Sequence, residues 1–185
     1  MSIFKKEFFE RSTLKVAKDL LGKFLVVQHP TLDKKAYMIT EVEAYDGPHD
    51  KASHAHRGKT ARNEPMFGEA GVWYVYLVYG MHNMLNIVTG DDGYPAAVLI
   101  RGVQPLSNQV AKLTKLDGPA KITKFLKIDR KFNNKPATLK TGLWIEDLGV
   151  KIKKSQIKSS PRIGVNYAGE WKDKKFRFFL KSNVR

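Results

Sequence analysis

The chain has 185 residues, of which 42% are hydrophobic and 28% charged; it is long enough for one domain with a real core and too apolar for a disordered tail or a fibrous rod. Thirty-three Lys and Arg against eighteen Asp and Glu leave a net charge of +15, an excess that points to a polyanionic partner. With no cysteine in the chain, disulfides, thiol nucleophiles and Cys-ligated zinc or iron–sulfur sites are excluded.

Met1 to Ser12 interleaves Lys, Glu and Phe and has neither an apolar core nor a small-residue cleavage site, so it does not read as a secretory leader. Ser12, then Leu14, Ala17, Leu20 and Leu21, then Gly22, predicts a capped amphipathic helix closed by glycine. Lys23 to Gln28 predicts a strand, stopped at His29-Pro30; Thr31 to Lys35 a turn; and Ala36 to Tyr45 a second strand, broken by Asp46-Gly47-Pro48. Gly71 to Tyr79 and Met84 to Thr89 flank Gly80 as a hairpin, and Asp91-Asp92-Gly93 turns into a strand from Pro95 to Arg101. The longest apolar stretch, Val72 to Tyr79, is far below the roughly 18 residues of a membrane-spanning helix. Ser107 opens a helix to about Leu116, and Pro119 opens another through Lys127. Leu143 to Glu146 and Phe176 to Lys181 close the chain as strands. The expected fold class is α+β: a single domain over residues 1–185 with a largely antiparallel sheet. A soluble cytoplasmic protein with no membrane partner is the corresponding expectation.

Chemistry concentrates in three places. By period-2 alternation, Tyr37, Ile39, Glu41, Glu43 and Tyr45 share one face of their strand, with Met38, Val42 and Ala44 behind. That sets two carboxylates about 7 Å apart beside aromatics, where burial and like charge both disfavour ionisation. Asp46, His49, Asp50, His54 and His56 follow; they suit a metal by type but match no i, i+4 pair, and Gly47-Pro48 makes the segment a loop rich in turn residues. Tyr79, next to Gly80 at a hairpin tip, has no core to fill and can serve as a wedge or stacking platform for nucleic acid. Lys121, Lys124 and Lys127 recur every three residues as a stripe opposite Ile122, Phe125 and Leu126, and Lys151 to Arg185 carries eleven basic residues against two acids.

Glu41-Val42-Glu43-Ala44-Tyr45, Gly47-Pro48, Ser53-His54, Arg62-Asn63 and Met66-Phe67 form a collinear set. It continues through Tyr74 to His82, Leu85-Asn86-Ile87, Val98 to Arg101, Gly118 to Thr123, Pro161 to Val165 and Ala168 to Trp171. This set resembles the alkyladenine (3-methyladenine) DNA glycosylase family over nearly the whole chain. The resemblance implies a curved antiparallel sheet with flanking helices and a protruding hairpin. It further implies excision of alkylated and deaminated purines from double-stranded DNA by a monomer with no cofactor and no metal, associated with the nucleoid if bacterial. Carried over by motif, Glu43 is the general base, helped by Arg101 and the backbone carbonyl of Ile163 in holding a water. Tyr45, His54 and Tyr76 form the purine pocket, and Asn86 crowds the exocyclic amine of guanine. Tyr79 is the wedge, with Met81, Lys121 and Arg162 on the DNA side. Asn83 and Ala61 depart from the pattern, which has a bulkier residue and a proline there. Two other readings stand beside this one: a non-catalytic nucleic-acid-binding module, and a metal-dependent phosphodiesterase using Asp46, His49, His54 and His56.

Overall fold

A computed structural model describes residues 2–29, 34–105 and 116–181. Among these residues ten strands join in one sheet in which every pairing is antiparallel. The strands are β1 (Ser2–Ile3), β2 (Phe24–Val27), β3 (Lys35–Tyr45), β4 (Trp73–Val78), β5 (His82–Val88), β6 (Ala97–Pro105), β7 (Leu116–Asp117), β8 (Leu143–Asp147), β9 (Ile157–Ser160) and β10 (Arg177–Leu180). The main path runs β1-β8-β2-β3-β6-β5-β4, with β10 pairing β3 and β9, and β7 pairing β6. Helices α1 (Lys6–Phe9), α2 (Thr13–Leu20) and α3 (Pro119–Phe125) flank it. The α+β expectation holds, as a curled, mostly sheet fold. Among the described residues no helix is long and apolar enough to cross a membrane.

The organising element is β3. On one side it pairs with β6 along its length; on the other, Lys35 to Met38 pair with β2 and Glu41 to Glu43 pair with β10. One strand edge thus forks into two, which curls the sheet. Between Ile39 and Val42 the register against β6 shifts through a bulge. Gly102 lies opposite, where a Cβ would come 2.9 Å from both Glu41 Cβ and Thr40 Oγ1, so only glycine lets the strands close there. The bulge overturns the simple alternation. Tyr37 and Ile39 join Val42 and Ala44 in the main core, not Glu43 and Tyr45, and Met38 packs with Phe24, Val26 and Trp144.

The main core forms where α2 (Val16, Ala17, Leu20) and α3 (Ile122) meet Ile39, Val42, Val75, Leu85, Ile87 and Ile100 of the sheet. Apolar positions spaced three and four apart bring each helix down on one face. Ser12 precedes α2, but its side chain makes no cap bond; its carbonyl accepts from Lys15 N and Val16 N instead. The helix after Pro119 ends at Phe125, not Lys127, and Lys127 has a left-handed φ of 54°. The lysine stripe is therefore two residues of helix and one of turn. Phe125, expected on its buried side, is exposed, with its ring edge-on to Tyr37. The helix expected from Ser107 lies almost wholly outside the described residues, as does most of the turn at 31–35. Strands β1, β7 and β9 and the short α1 carry no pattern that sequence reading separates from loop.

Candidate functional site

Strands β3 to β6, the loop after β3, the N-terminal end of α3 and the segment 161–167 enclose a cavity of about 780 Å³. Tyr45, His54, Tyr76, Asn86, Arg101 and Ile163 all line it, and Tyr79 stands at its rim, so most of the expected site residues meet in one place. Glu43 lies behind the wall, completely buried. Its Oε1 accepts from the Ile163 backbone N–H at 2.8 Å, and its Oε2 accepts from the Tyr45 hydroxyl at 2.9 Å. Arg101 Nε lies 3.4 Å from Oε1. Residue 163 thus touches Glu43 through its amide, a contact separate from the hold on a water expected of its carbonyl. Burial pushes the Glu43 carboxyl above the usual carboxylate range; Arg101, the Ile163 amide, the Tyr45 hydroxyl and Arg162 pull it back.

The cavity wall is largely aromatic, with Arg62 and Arg101 as its charged members. His54 Nδ1 is 2.9 Å from the Tyr74 hydroxyl, and its ring meets Tyr76 edge-on at 4.6 Å. Burial, reinforced by the nearby Arg62 cation, lowers His54 to about 4, so the ring is neutral at physiological pH. Burial also pushes Tyr76 up to about 12 and Tyr45 well above its ordinary value. Asn86 is buried on β5, and its Nδ2 donates to the Tyr74 carbonyl at 3.0 Å, which fixes the amide plane. The His54 loop is tied down by Asn63, whose Nδ2 donates to the carbonyls of His54 and Gly58, each at 2.9 Å.

Arg162 is not on the surface. Its guanidinium grips both oxygens of Asp50, and both side chains are 0% exposed. It also donates to the Ala44 carbonyl at 2.8 Å and lies over the Tyr45 and Phe176 rings. Ala44 sits between Glu43 and Tyr45, so this anchor sets the segment whose next residue, Ile163, reaches Glu43. With Asp50 taken by Arg162, His56 on the Pro48 carbonyl and His54 turned to Tyr74, the loop that suggested a metal performs separate tasks. Among the described residues no three His, Asp or Glu converge on a common point.

The β4–β5 hairpin turns through Val78 to Met81, closed by Met81 N–H on the Val78 carbonyl at 3.2 Å. Tyr79 and Gly80 both have left-handed φ, 51° and 68°. Glycine accepts this freely; a tyrosine does so at a cost of about 1–2 kcal/mol. The strained Tyr79 is 88% exposed, and Met81 beside it is exposed too. The hairpin is braced on α3, where Thr123 Oγ1 donates to the Asn83 carbonyl at 2.8 Å. Lys121 is exposed and paired with Asp117 at 2.9 Å.

Three lining residues with polar side chains escaped the sequence reading. Arg62 donates to the Leu77 carbonyl at 2.8 Å and lies 5.0 Å over the Tyr76 ring; its place in the Arg62-Asn63 motif was the available signal. Tyr74 looked like one more core aromatic in an aromatic strand. Tyr167, at the mouth with its hydroxyl donating to the Ala52 carbonyl at 3.3 Å, carried no signal at all.

A family model described as Methylpurine-DNA glycosylase (MPG) matches residues 7–184. The chain is 45% identical to a protein of Methanocella arvoryzae, covering 99% of this chain and 94% of that one. It is 43% identical to one of Legionella pneumophila (strain Lens), over 96% and 94%, and 41% identical to one of Myxococcus xanthus (strain DK1622), over 99% and 92%. Each of the three bears the name "Putative 3-methyladenine DNA glycosylase".

Proposed function

The chain belongs to the methylpurine-DNA glycosylase family and is a DNA glycosylase of DNA repair, and from that premise we propose that it flips a damaged purine out of duplex DNA and hydrolyses its glycosidic bond with Glu43 as general base. The observation that carries the reading is Glu43 itself: an ionisable carboxylate, fully buried, held by an amide, a phenol and a guanidinium at the wall of an aromatic cavity. A structural carboxylate of this cost is normally matched by a full salt bridge, as Asp50 is by Arg162. Glu43 is only partly compensated, which suits a group that must take up a proton.

The bond that breaks joins C1′ of the sugar to the ring nitrogen of the base. As it lengthens, positive charge develops on the sugar, and a nearby carboxylate stabilises it. Water adds its oxygen to C1′, Glu43 accepts the proton that water gives up, and the base leaves with the bonding electrons. A purine methylated on the ring carries positive charge and departs as a neutral molecule. The catalyst therefore need not protonate it, in keeping with a pocket whose lining histidine, His54, is neutral. With Nδ1 engaged by Tyr74, Nε2 is the His54 atom left to meet a base edge. Tyr45 and Tyr76 supply faces for stacking, and the fixed amide of Asn86 crowds a 2-amino group.

A base inside a duplex cannot reach this cavity, so it must leave the stack. Tyr79, exposed on the projecting turn at the rim, fills the gap it leaves. The test is incubation of the protein with methylated duplex DNA and chromatographic identification of the released base. Free 3-methyladenine or 7-methylguanine from wild type, released orders of magnitude more slowly by E43Q, is the expected result. Borohydride trapping of an enzyme–DNA adduct would show a covalent mechanism and overturn this one.

A further inference from the structure

Glu43 does not have Arg101 to itself. Arg101 Nε lies 3.1 Å from Glu41 Oε1, closer than its 3.4 Å to Glu43 Oε1. The same Glu41 oxygen accepts from Arg177 Nη1 at 3.3 Å. Arg177 stands opposite Glu43 in the β10–β3 register, and its Nε donates to Ser160 Oγ at 2.8 Å. Two carboxylates and two guanidiniums therefore form a chain, Arg177–Glu41–Arg101–Glu43, that runs from the partly exposed back of the sheet to the buried wall of the cavity. The bulge creates it. In an unbroken strand Glu41 and Glu43 would simply repeat along one face; the extra residue re-aims Glu41 toward Arg101, and Gly102 leaves room for it.

We infer that Glu41 is a positioning residue that holds Arg101 and, together with Arg177, sets how much positive charge reaches Glu43. The inference rests on the reading of Glu43 as the general base. The groups around Glu43 are Tyr45 on β3, Arg101 on β6, Tyr76 on β4, Arg177 across from it on β10, and Arg162 with the Ile163 amide in the following segment. Two further carboxylates reach it through these cations: Asp50 holds Arg162, and Glu41 competes for Arg101, the cation nearest Glu43. Removing the Glu41 charge while keeping its oxygen therefore favours the Glu43 carboxylate. Removing Arg177 does the opposite, because Glu41 then draws on Arg101 alone.

The experiment is single-turnover excision from methylated duplex by wild type, E41Q, R177Q, R177K and E43Q, at saturating enzyme and constant ionic strength, across the acid limb of the pH profile. The midpoint should move down by about one pH unit in E41Q, a gain of about tenfold in relative rate on the acid side, and move up in R177Q. R177K, which keeps the charge, should restore the wild-type midpoint. His54 faces Arg62, Tyr74 and Tyr76, not this chain of charges, so a midpoint that moves in opposite directions in E41Q and R177Q belongs to Glu43. Midpoints that stay put, or that shift the same way in E41Q and R177Q, would reduce Glu41 to a structural brace and overturn the inference. Excision by E43Q at close to the wild-type rate would instead bring down the reading of the base on which the inference stands.

Discussion

Glu43 joins a functional demand to a thermodynamic cost. Its pKa is raised in the folded protein, chiefly by burial. A carboxyl whose folded pKa exceeds its unfolded value favours the fold below the unfolded pKa, and that contribution is lost as pH rises through the folded pKa. At neutral pH the charged side chain therefore works against the fold. E43Q keeps an oxygen for the Ile163 amide and removes the charge, so it should lower excision by about 10²–10⁴-fold and at the same time raise the melting temperature at pH 7. The stability gain should fade as pH falls below the carboxylate range; calorimetry at both pH values checks it. Equal stability at pH 7 would mean that Arg101 and the hydrogen bonds already cancel the burial. The sequence showed Glu43 beside an aromatic and a second acid, which was enough to single it out. It did not show that Glu41 and Glu43 would be split by a bulge, because the signal for the bulge is a glycine on the facing strand, sixty-odd residues away in β6.

At the scale of elements, two connections place the chemistry, and they differ in how legible they were. The hairpin was readable, because Tyr79-Gly80 between two apolar runs demands a tight turn. Its left-handed tyrosine is a strain that the turn imposes and the exposed ring makes useful. Tyr79→Ser should slow excision and weaken lesion-specific binding while leaving binding to undamaged duplex nearly unchanged; Tyr79→Phe should be tolerated, since the ring fills the gap. A Ser variant that matches wild type, or one that unfolds, would end the wedge assignment. The 161–165 segment was not readable in the same way. Arg162 lies within a basic run, and nothing local distinguishes it from its solvated neighbours; its burial is decided by Asp50, which only the fold brings to it. Leaving one member of a buried, two-pronged ion pair without its partner costs about 3–5 kcal/mol. Arg162→Met should therefore lower stability by that order in denaturant unfolding. Any protein that still folds should lose excision as well, because the Ile163 amide is no longer held on Glu43. A stable, active R162M would show that the pair is dispensable.

For the molecule as a whole, the +15 charge is spread well beyond the site. Lys151, Lys154 and Lys158 line a second cleft with Phe4, Phe8 and Phe178, at the β1–β8 end of the sheet, and this cleft shares no residue with the aromatic cavity. The sheet order puts five strands between β1 and the hairpin strand β4, and none of these lysines lines the cavity of Tyr45, His54 and Tyr76. The contribution we expect of them is a long-range field and contacts to phosphate. Each phosphate neutralised releases counterions, so binding weakens linearly in log salt, with a slope of about 0.9 per contact on duplex DNA. Such contacts carry no sequence or lesion information. The triple change K151Q/K154Q/K158Q should therefore weaken damaged and undamaged duplex by the same factor and flatten the salt dependence of both, leaving their ratio and the single-turnover excision rate as in wild type. Affinities for both duplexes, measured over a salt series, decide the matter. A loss confined to damaged DNA would mean that this face senses the lesion through a bent duplex. No loss on either duplex would place the whole β1–β8 end outside the DNA footprint and leave the binding charge to the hairpin side of the sheet.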